Sequence, residues 1–280
     1  MKRNSISKAV WSLLFMLGLS AGTWASVVQA PKGLALDSKG NLYVANFATS
    51  QILVYNPNYV LQKKKTFGAG SGVSYPTSLV FDSKGYLFVA NSGAWNITEY
   101  DPNLKYLPAS TISVQEPYNI AIDGNDDLWV NSDFQTVVIY AADGSPIGNL
   151  PTGAPIDTLA VRGRFMVVSV SIPNGPFAFA QLLSSEVIAQ LPNYEQDYSS
   201  STAVNAIAFL DPAHYLAAQA NGEIDLVNTE TSTMTPVFEV AYGPSAMVVD
   251  AARQRIYVAS DTQNKIDVYD MAWHFLKMIQ

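Results

Sequence analysis

The chain has 280 residues, 49% of them hydrophobic and 14% charged, which allows a sizeable core and excludes a disordered chain. It has no cysteine, so disulfides, thiolate metal sites and cysteine-linked lipids are excluded. Its formal charge is −7 and no basic patch is visible, which argues against nucleic acid or an anionic membrane as partner.

The first 25 residues read as a leader. Lys2, Arg3 and Lys8 precede the apolar run VWSLLFMLGLS (10–20), and Thr23-Trp24-Ala25 leaves a small residue at a cleavage position. This pattern predicts a signal peptide over residues 1–25 and a secreted or periplasmic mature chain starting near Ser26. The apolar run is short for a bilayer-spanning anchor, so no stable membrane insertion is expected after cleavage. Loss of the three basic residues takes the formal charge to −10.

From Ser26 onward the sequence repeats itself. PKGLALDSKGNLYVAN starts at Pro31, PTSLVFDSKGYLFVAN at Pro76, PYNIAIDGNDDLWVNS at Pro117 and PSAMVVDAARQRIYVAS at Pro244. Weaker copies start at Pro155 (PIDTLAVRGRFMVVSV) and Val204 (VNAIAFLDPAHYLAAQ). In the first unit, strands are expected over Leu34–Asp37, Leu42–Ala45, Ile52–Tyr55 and Leu61–Phe67. The reasons are alternation, β-branched and aromatic residues, and Gly/Asn/Asp/Pro punctuation. Lys63-Lys64-Lys65 would then lie on the outer strand, and GAGSG (68–72) reads as a flexible spacer. HFLKMI (274–279) closes the last unit, with Ser26–Gln29 lying against it.

A four-stranded sheet cannot bury both faces alone, but packing between copies of itself buries both. The expected fold is all-β: one domain over 26–280, a six-bladed β-propeller with four antiparallel strands per blade. The blades fall at about 31–75, 76–116, 117–154, 155–203, 204–243 and 244–280. Pro31 to Asn46, and the spacer from Phe67 into Tyr75-Pro76, resemble an NHL-type propeller repeat. That resemblance implies a six-bladed propeller and no single activity.

Recurring polar residues are the first places to look for chemistry. Asp37, Asp82, Asp123 and Asp250 precede tight turns and are expected to bond those turns on the bottom rim. Asn46, Asn91 and Asn131 end second strands at the top, where local turn bonds compete with a ring of amides facing a ligand. The third position of each unit reads Gly33, Ser78, Asn119, Asp157, Asn205 and Ala246. Asn119, Asp157 and Asn205 are oxygen donors suited to Ca²⁺ or another divalent cation. The chain is also distantly similar to gluconolactonase/regucalcin propellers, which implies metal ligands one position earlier. That position reads Lys32, Thr77, Tyr118, Ile156, Val204 and Ser245, so no ligand carries over. His214 and His274 fall in a bottom turn and an outer strand, so a channel-facing catalytic histidine of the streptogramin-lyase kind has no counterpart.

What remains is a surface. Top-face loops should present Phe47, Tyr75, Trp95, Tyr118, Phe134 and Tyr242 beside Asn96, Glu116, Asp133, Gln135, Asp261 and Asn264. Loops 171–177 and 193–202 add to that face. Trp95 stands where the first unit has Thr49, so the repeat itself does not require it. The expected function is non-enzymatic binding of a carbohydrate, peptide or protein ligand by a monomer with no cofactor. The candidate residues are Trp95, Phe134, Tyr118, Asp133, Asn96 and Phe47. The alternative is a divalent-cation-dependent lactonase or hydrolase.

Overall fold

A computed structural model describes residues 26–152, 154–163, 165–170, 177–183, 196–200, 202–231 and 233–280, with only the backbone described at 165, 177–183 and 196–200. The expected leader and residues 171–176, 193–195 and 201 of the two expected loops lie outside the described residues, and 196–200, expected in a loop, form an outer strand instead. Blade 1 holds β1 (Pro31–Leu36), β2 (Leu42–Asn46), β3 (Gln51–Tyr55) and β4 (Phe67–Gly68). Blade 2 holds β5 (Pro76–Phe81), β6 (Leu87–Asn91), β7 (Asn96–Tyr100) and β8 (Ile112–Ser113). Blade 3 holds β9 (Ile120–Ile122), β10 (Leu128–Ser132), β11 (Thr136–Tyr140) and β12 (Pro146–Pro151). Blade 4 holds β13 (Ile156–Arg162), β14 (Phe165–Val170), β15 (Phe177–Leu183) and β16 (Gln196–Ser200). Blade 5 holds β17 (Val204–Phe209), β18 (His214–Gln219), β19 (Glu223–Asn228) and β20 (Thr233–Glu239). Blade 6 holds β21 (Ala246–Asp250), β22 (Arg255–Ser260), β23 (Lys265–Asp270) and β24 (Phe275–Ile279).

Each sheet is antiparallel with its strands in chain order. The six inner strands stand side by side around an axis, β1 by β5 and onward through β9, β13, β17 and β21, which returns to β1. The molecule is a closed β-propeller. Its second strands are apolar nearly throughout because both faces are covered. Successive side chains of β2 serve different neighbours. Leu42 and Val44 pack with Tyr257, Ile266 and Val268 of blade 6, whereas Tyr43 and Ala45 pack with Leu79, Leu87 and Val89 of blade 2. The core is thus a set of sheet-to-sheet interfaces arranged around the ring.

No strand is shared across the join between blades 6 and 1, so packing and side chains close it. Val28 is fully buried in one cluster with Ile266 and Ile279. The Asn264 side-chain oxygen accepts from the Ala30 N–H at 2.8 Å, and the Ser26 hydroxyl donates to the Asn264 carbonyl at 3.1 Å. The expected packing of Ser26–Gln29 against the last blade is therefore present.

The first-to-second-strand turns behave as expected. One carboxylate oxygen of Asp37 accepts from the N–H groups of Lys39 and Asn41. Asp82 and Asp123 repeat this bonding pattern. Three other expectations need correction. Lys63–Lys65 form an exposed turn, because the chain bridges only at Leu61 before the ladder resumes at Phe67. The GAGSG spacer is ordered: Ala69–Ser71 make a 3₁₀ turn, the Ser71 carbonyl accepts from the Tyr100 hydroxyl, and a Cβ at Gly72 would strike the Tyr106 ring at 2.8 Å.

The third correction concerns register. In blades 1, 2, 4 and 5, two residues of the inner strand oppose one on the second strand, a bulge near the first position. Ile156 pairs with Val170 and Val204 with Gln219, just as Pro31 pairs with Asn46. Asp157 and Asn205 are therefore level with Lys32, and Thr158 and Ala206 are level with Gly33. The position read as Ile156 and Val204 in units 4 and 5 carries Asp157 and Asn205. In blade 3, Ser132 rather than Asn131 takes the place of Asn46, since Leu128 pairs with Ile122 as Leu42 pairs with Leu36.

Candidate functional site

A channel of about 420 Å³ runs along the axis. Its upper wall presents Lys32, Ser78, Asn119, Thr158, Asn205 and Ser245, and its lower wall is mostly apolar. Among the described residues, the charged side chains lining it are Lys32 and Arg162. Many of the upper polar groups serve the ring itself. The Thr77 hydroxyl donates to the Pro117 carbonyl at 3.1 Å. The Asn205 amide donates to the Pro244 carbonyl at 3.0 Å, and the Ser245 hydroxyl to the Pro31 carbonyl at 2.6 Å. Each bond runs from one blade to the next.

The strand-end amides also face inward. The Asn46 side-chain oxygen accepts from the Gln29 N–H, and that of Asn91 accepts from the Ser74 N–H at 2.9 Å. The Ser132 hydroxyl reaches the Gln115 carbonyl over the same sequence interval of 17 residues. These groups tether the segment entering each blade. A ring of amides facing a ligand is therefore absent at Asn46 and Asn91, both fully buried.

The top face holds a strip of aromatic side chains across blades 1 to 3. Phe47, in the 3₁₀ turn Phe47–Thr49, lies 5.3 Å from the Tyr75 ring. Tyr75 in turn covers Gly93, where a Cβ would meet its ring at 2.5 Å, so the Trp95 loop can approach only because residue 93 is glycine. Tyr118 and Phe134 form a second pair at 5.8 Å. Tyr75, Trp95 and Phe134 are 50%, 55% and 44% exposed. All three hold positive φ, at 46°, 51° and 62°. A non-glycine residue in that region costs roughly 1–2 kcal/mol. Glu116 and Asp133 beside them share the conformation. The register places Trp95 opposite Ser50, not Thr49: each directly precedes its third strand and each has φ 51°.

Other candidates lie differently. The Asn96 side-chain oxygen accepts from the Asn91 amide at 3.1 Å and so turns into the blade. Asp133 is exposed and its carboxylate accepts from the Gln135 N–H at 3.4 Å. Tyr242 is not on the surface: it is 8% exposed and its hydroxyl donates to Asp267 at 2.9 Å. Asp261 and Asn264 seal the join of blades 6 and 1. His214, at the start of β18, sits with Asp211 of the preceding turn, and His274 sits with Asp270 in the turn between β23 and β24.

Lys32 is a residue of the candidate site that sequence reasoning passed over. Its ammonium pairs with Asp261 at 2.5 Å and lies 5.9 Å from the centre of the Phe47 ring. Partial burial works to lower its pKa, but the Asp261 carboxylate and the nearby Tyr118 hydroxyl outweigh that and hold it above the ordinary lysine value. The available signal was that Lys32 is the one basic residue at the second position of any unit.

No family model matches this sequence, and no curated protein matches it. Solved structures do match in fold. A gluconolactonase from Xanthomonas campestris aligns with TM-score 0.69 at 13% identity, covering 83% of this chain and 84% of that one. A streptogramin B lyase structure aligns with TM-score 0.60 at 13% identity, over 90% and 83% of the two chains. Hydrazine synthase from Kuenenia stuttgartiensis aligns with TM-score 0.64 at 12% identity, over 91% and 80%. At these identities the likeness shows a shared propeller fold and no shared activity.

Proposed function

We propose that the protein is a secreted or periplasmic propeller of NHL type that binds its ligand on the top face without catalysis. The observation behind this reading is that Tyr75, Trp95 and Phe134 are all large, all exposed and all in left-handed backbone. Exposure of three large rings does not favour the folded chain, whereas the left-handed backbone recurs at Ala30, Ser50 and Asn264 in the corresponding loops and belongs to the repeat. Aromatic faces beside Glu116, Asp133 and Gln135 suit a carbohydrate or an extended peptide.

A cation-dependent lactonase fits less well. Asn119 and Asn205 line the channel, but among the described residues the wall around them shows no carboxylate, and its charged groups are cationic. A hard cation there would lack a charged oxygen ligand. Asp157, although level with Lys32, does not line the channel.

Glycan and peptide arrays on the mature chain test the binding reading and separate the two ligand classes. Trp95→Ala and Phe134→Ala should weaken a hit by about 10- to 100-fold, since a lost stacking contact is worth roughly 1–3 kcal/mol. Hits unaffected by both substitutions would refute the site.

A further inference from the structure

Blades 5 and 6 write their third strands alike, Glu223-Ile224-Asp225 in β19 and Lys265-Ile266-Asp267 in β23. The aspartates are buried, 1% and 3% exposed. In blade 6 the charge is compensated. The Lys265 ammonium lies 2.8 Å from the Asp267 carboxylate, and the Tyr242 hydroxyl donates to the same oxygen at 2.9 Å.

Blade 5 replaces each of these groups. Glu223 stands at the place of Lys265. Thr202, two residues before Val204, stands at the place of Tyr242, two residues before Pro244. Gln219 stands at the place of Ser260, each ending its second strand. The Gln219 amide donates to Glu223 at 2.9 Å and to Asp225 at 2.5 Å. The other Asp225 oxygen is buried without a hydrogen-bond partner, as is that of Asp267, so the two blades differ in charge compensation and not in this atom. Among the described residues, neither carboxylate forms an ion pair. Two carboxylates, one of them fully buried, thus converge on one neutral amide.

The geometry does not itself require acids. In blade 2 the Asn91 amide donates in the same way to Asn96 at 3.1 Å and Thr98 at 3.0 Å, with every group neutral. Blade 5 carries two negative charges where blade 2 has none and where blade 6 has a balanced pair. A buried carboxylate without a counter-charge is strongly unfavourable.

We propose that blade 5 binds a hard divalent cation of the Ca²⁺ class between Glu223 and Asp225, at the place blade 6 gives to the Lys265 ammonium. The ligands are oxygens throughout, as such cations require. Turning the Gln219 amide over offers its oxygen as a third ligand. The Thr202 hydroxyl, 3.0 Å from that oxygen, can either donate or accept and so permits the turn. A proton is the competing occupant: burial first, and then the Glu223 charge, raise the Asp225 pKa against the opposing Gln219 bond. The site is independent of the top-face aromatic strip.

The test uses the full chain, stripped with EDTA and titrated with CaCl₂, with MgCl₂ and NaCl as comparisons. Calorimetry should show one Ca²⁺ per chain with Kd of about 10⁻⁴ to 10⁻³ M or tighter, the range of extracellular calcium modules. Saturating Ca²⁺ should raise the thermal midpoint by roughly 4 °C or more. Asp225→Asn should abolish binding. Glu223→Lys copies blade 6, so it should be more stable than the native chain in EDTA and should no longer respond to Ca²⁺. A native chain indifferent to all three salts would show that a proton fills the gap and would overturn the proposal. So would stoichiometric Ca²⁺ binding by Asp225→Asn, or a Glu223→Lys protein less stable in EDTA than the native chain.

Discussion

Ile279 offers a direct measure of how the ring is closed. It lies on the outer strand of blade 6, is 5% exposed, and shares a cluster with the fully buried Val28 and Ile266. Ile279→Ala removes three carbons from that cluster and leaves a cavity that strands bound on both sides cannot fill. Buried Ile→Ala substitutions cost about 2–5 kcal/mol. For a domain of this size, each kcal/mol moves the midpoint by roughly 2–4 °C, so a fall of about 4–20 °C is expected. Leu276 serves as the control on the same strand, 43% exposed and unpaired in the bulge of β24. Leu276→Ala should stay within about 0.5 kcal/mol. Thermal unfolding followed by circular dichroism reads both. Equal losses at the two positions, or a silent Ile279→Ala, would refute closure through the buried face of β24. Val28→Ala should also destabilise, and the pair should be less than additive, because both truncate one cluster.

Trp95→Gly should hold or raise the thermal midpoint by up to about 1 kcal/mol equivalent, since glycine accepts φ 51° without strain; a large loss would mean the indole packs for stability. The Lys32 pKa is raised on folding, so its contribution is complete below the unfolded value of about 10.5 and fades as pH climbs through the folded value. Native stability should therefore decline in that alkaline window more than Lys32→Met does, as read by urea titrations at stepped pH. Added Ca²⁺, Mn²⁺ or Zn²⁺ should not stimulate lactone hydrolysis, and metal-dependent turnover lost in Asp157→Ala would reverse that reading. Extracytoplasmic protein should begin near Ser26, as N-terminal sequencing would show; a full-length chain in the membrane fraction would oppose a cleaved leader.

The blades were legible because packing on both sides imposes the same residues at the same places. Val44 and Val89 are each fully buried against a neighbouring sheet. Register was less legible. Proline marks the first position in units 1 and 2, but Pro155 lies one residue before Ile156, and the bulge that follows makes a one-residue slip invisible in the pattern. Asp157 was misplaced for that reason. Exposure at loop tips was partly legible: Trp95 projects because the repeat has Ser50 there, whereas Tyr242 turned inward to meet Asp267, a contact between residues 25 apart that no local pattern announces.

The bonds from Thr77, Asn205 and Ser245 to the next blade's proline carbonyl all point the same way around the ring. Each blade therefore has a donating flank and an accepting flank, and no flank matches itself. An interface of this kind is heterologous, and it ends only because the rotation per blade closes the circle. A molecule forced open between blades 6 and 1 would expose one flank of each sort. Two such molecules could not satisfy each other by symmetric pairing; they would join end to end. The polarity that makes the closed ring self-sufficient would thus direct its failure toward linear, head-to-tail polymers and away from discrete dimers.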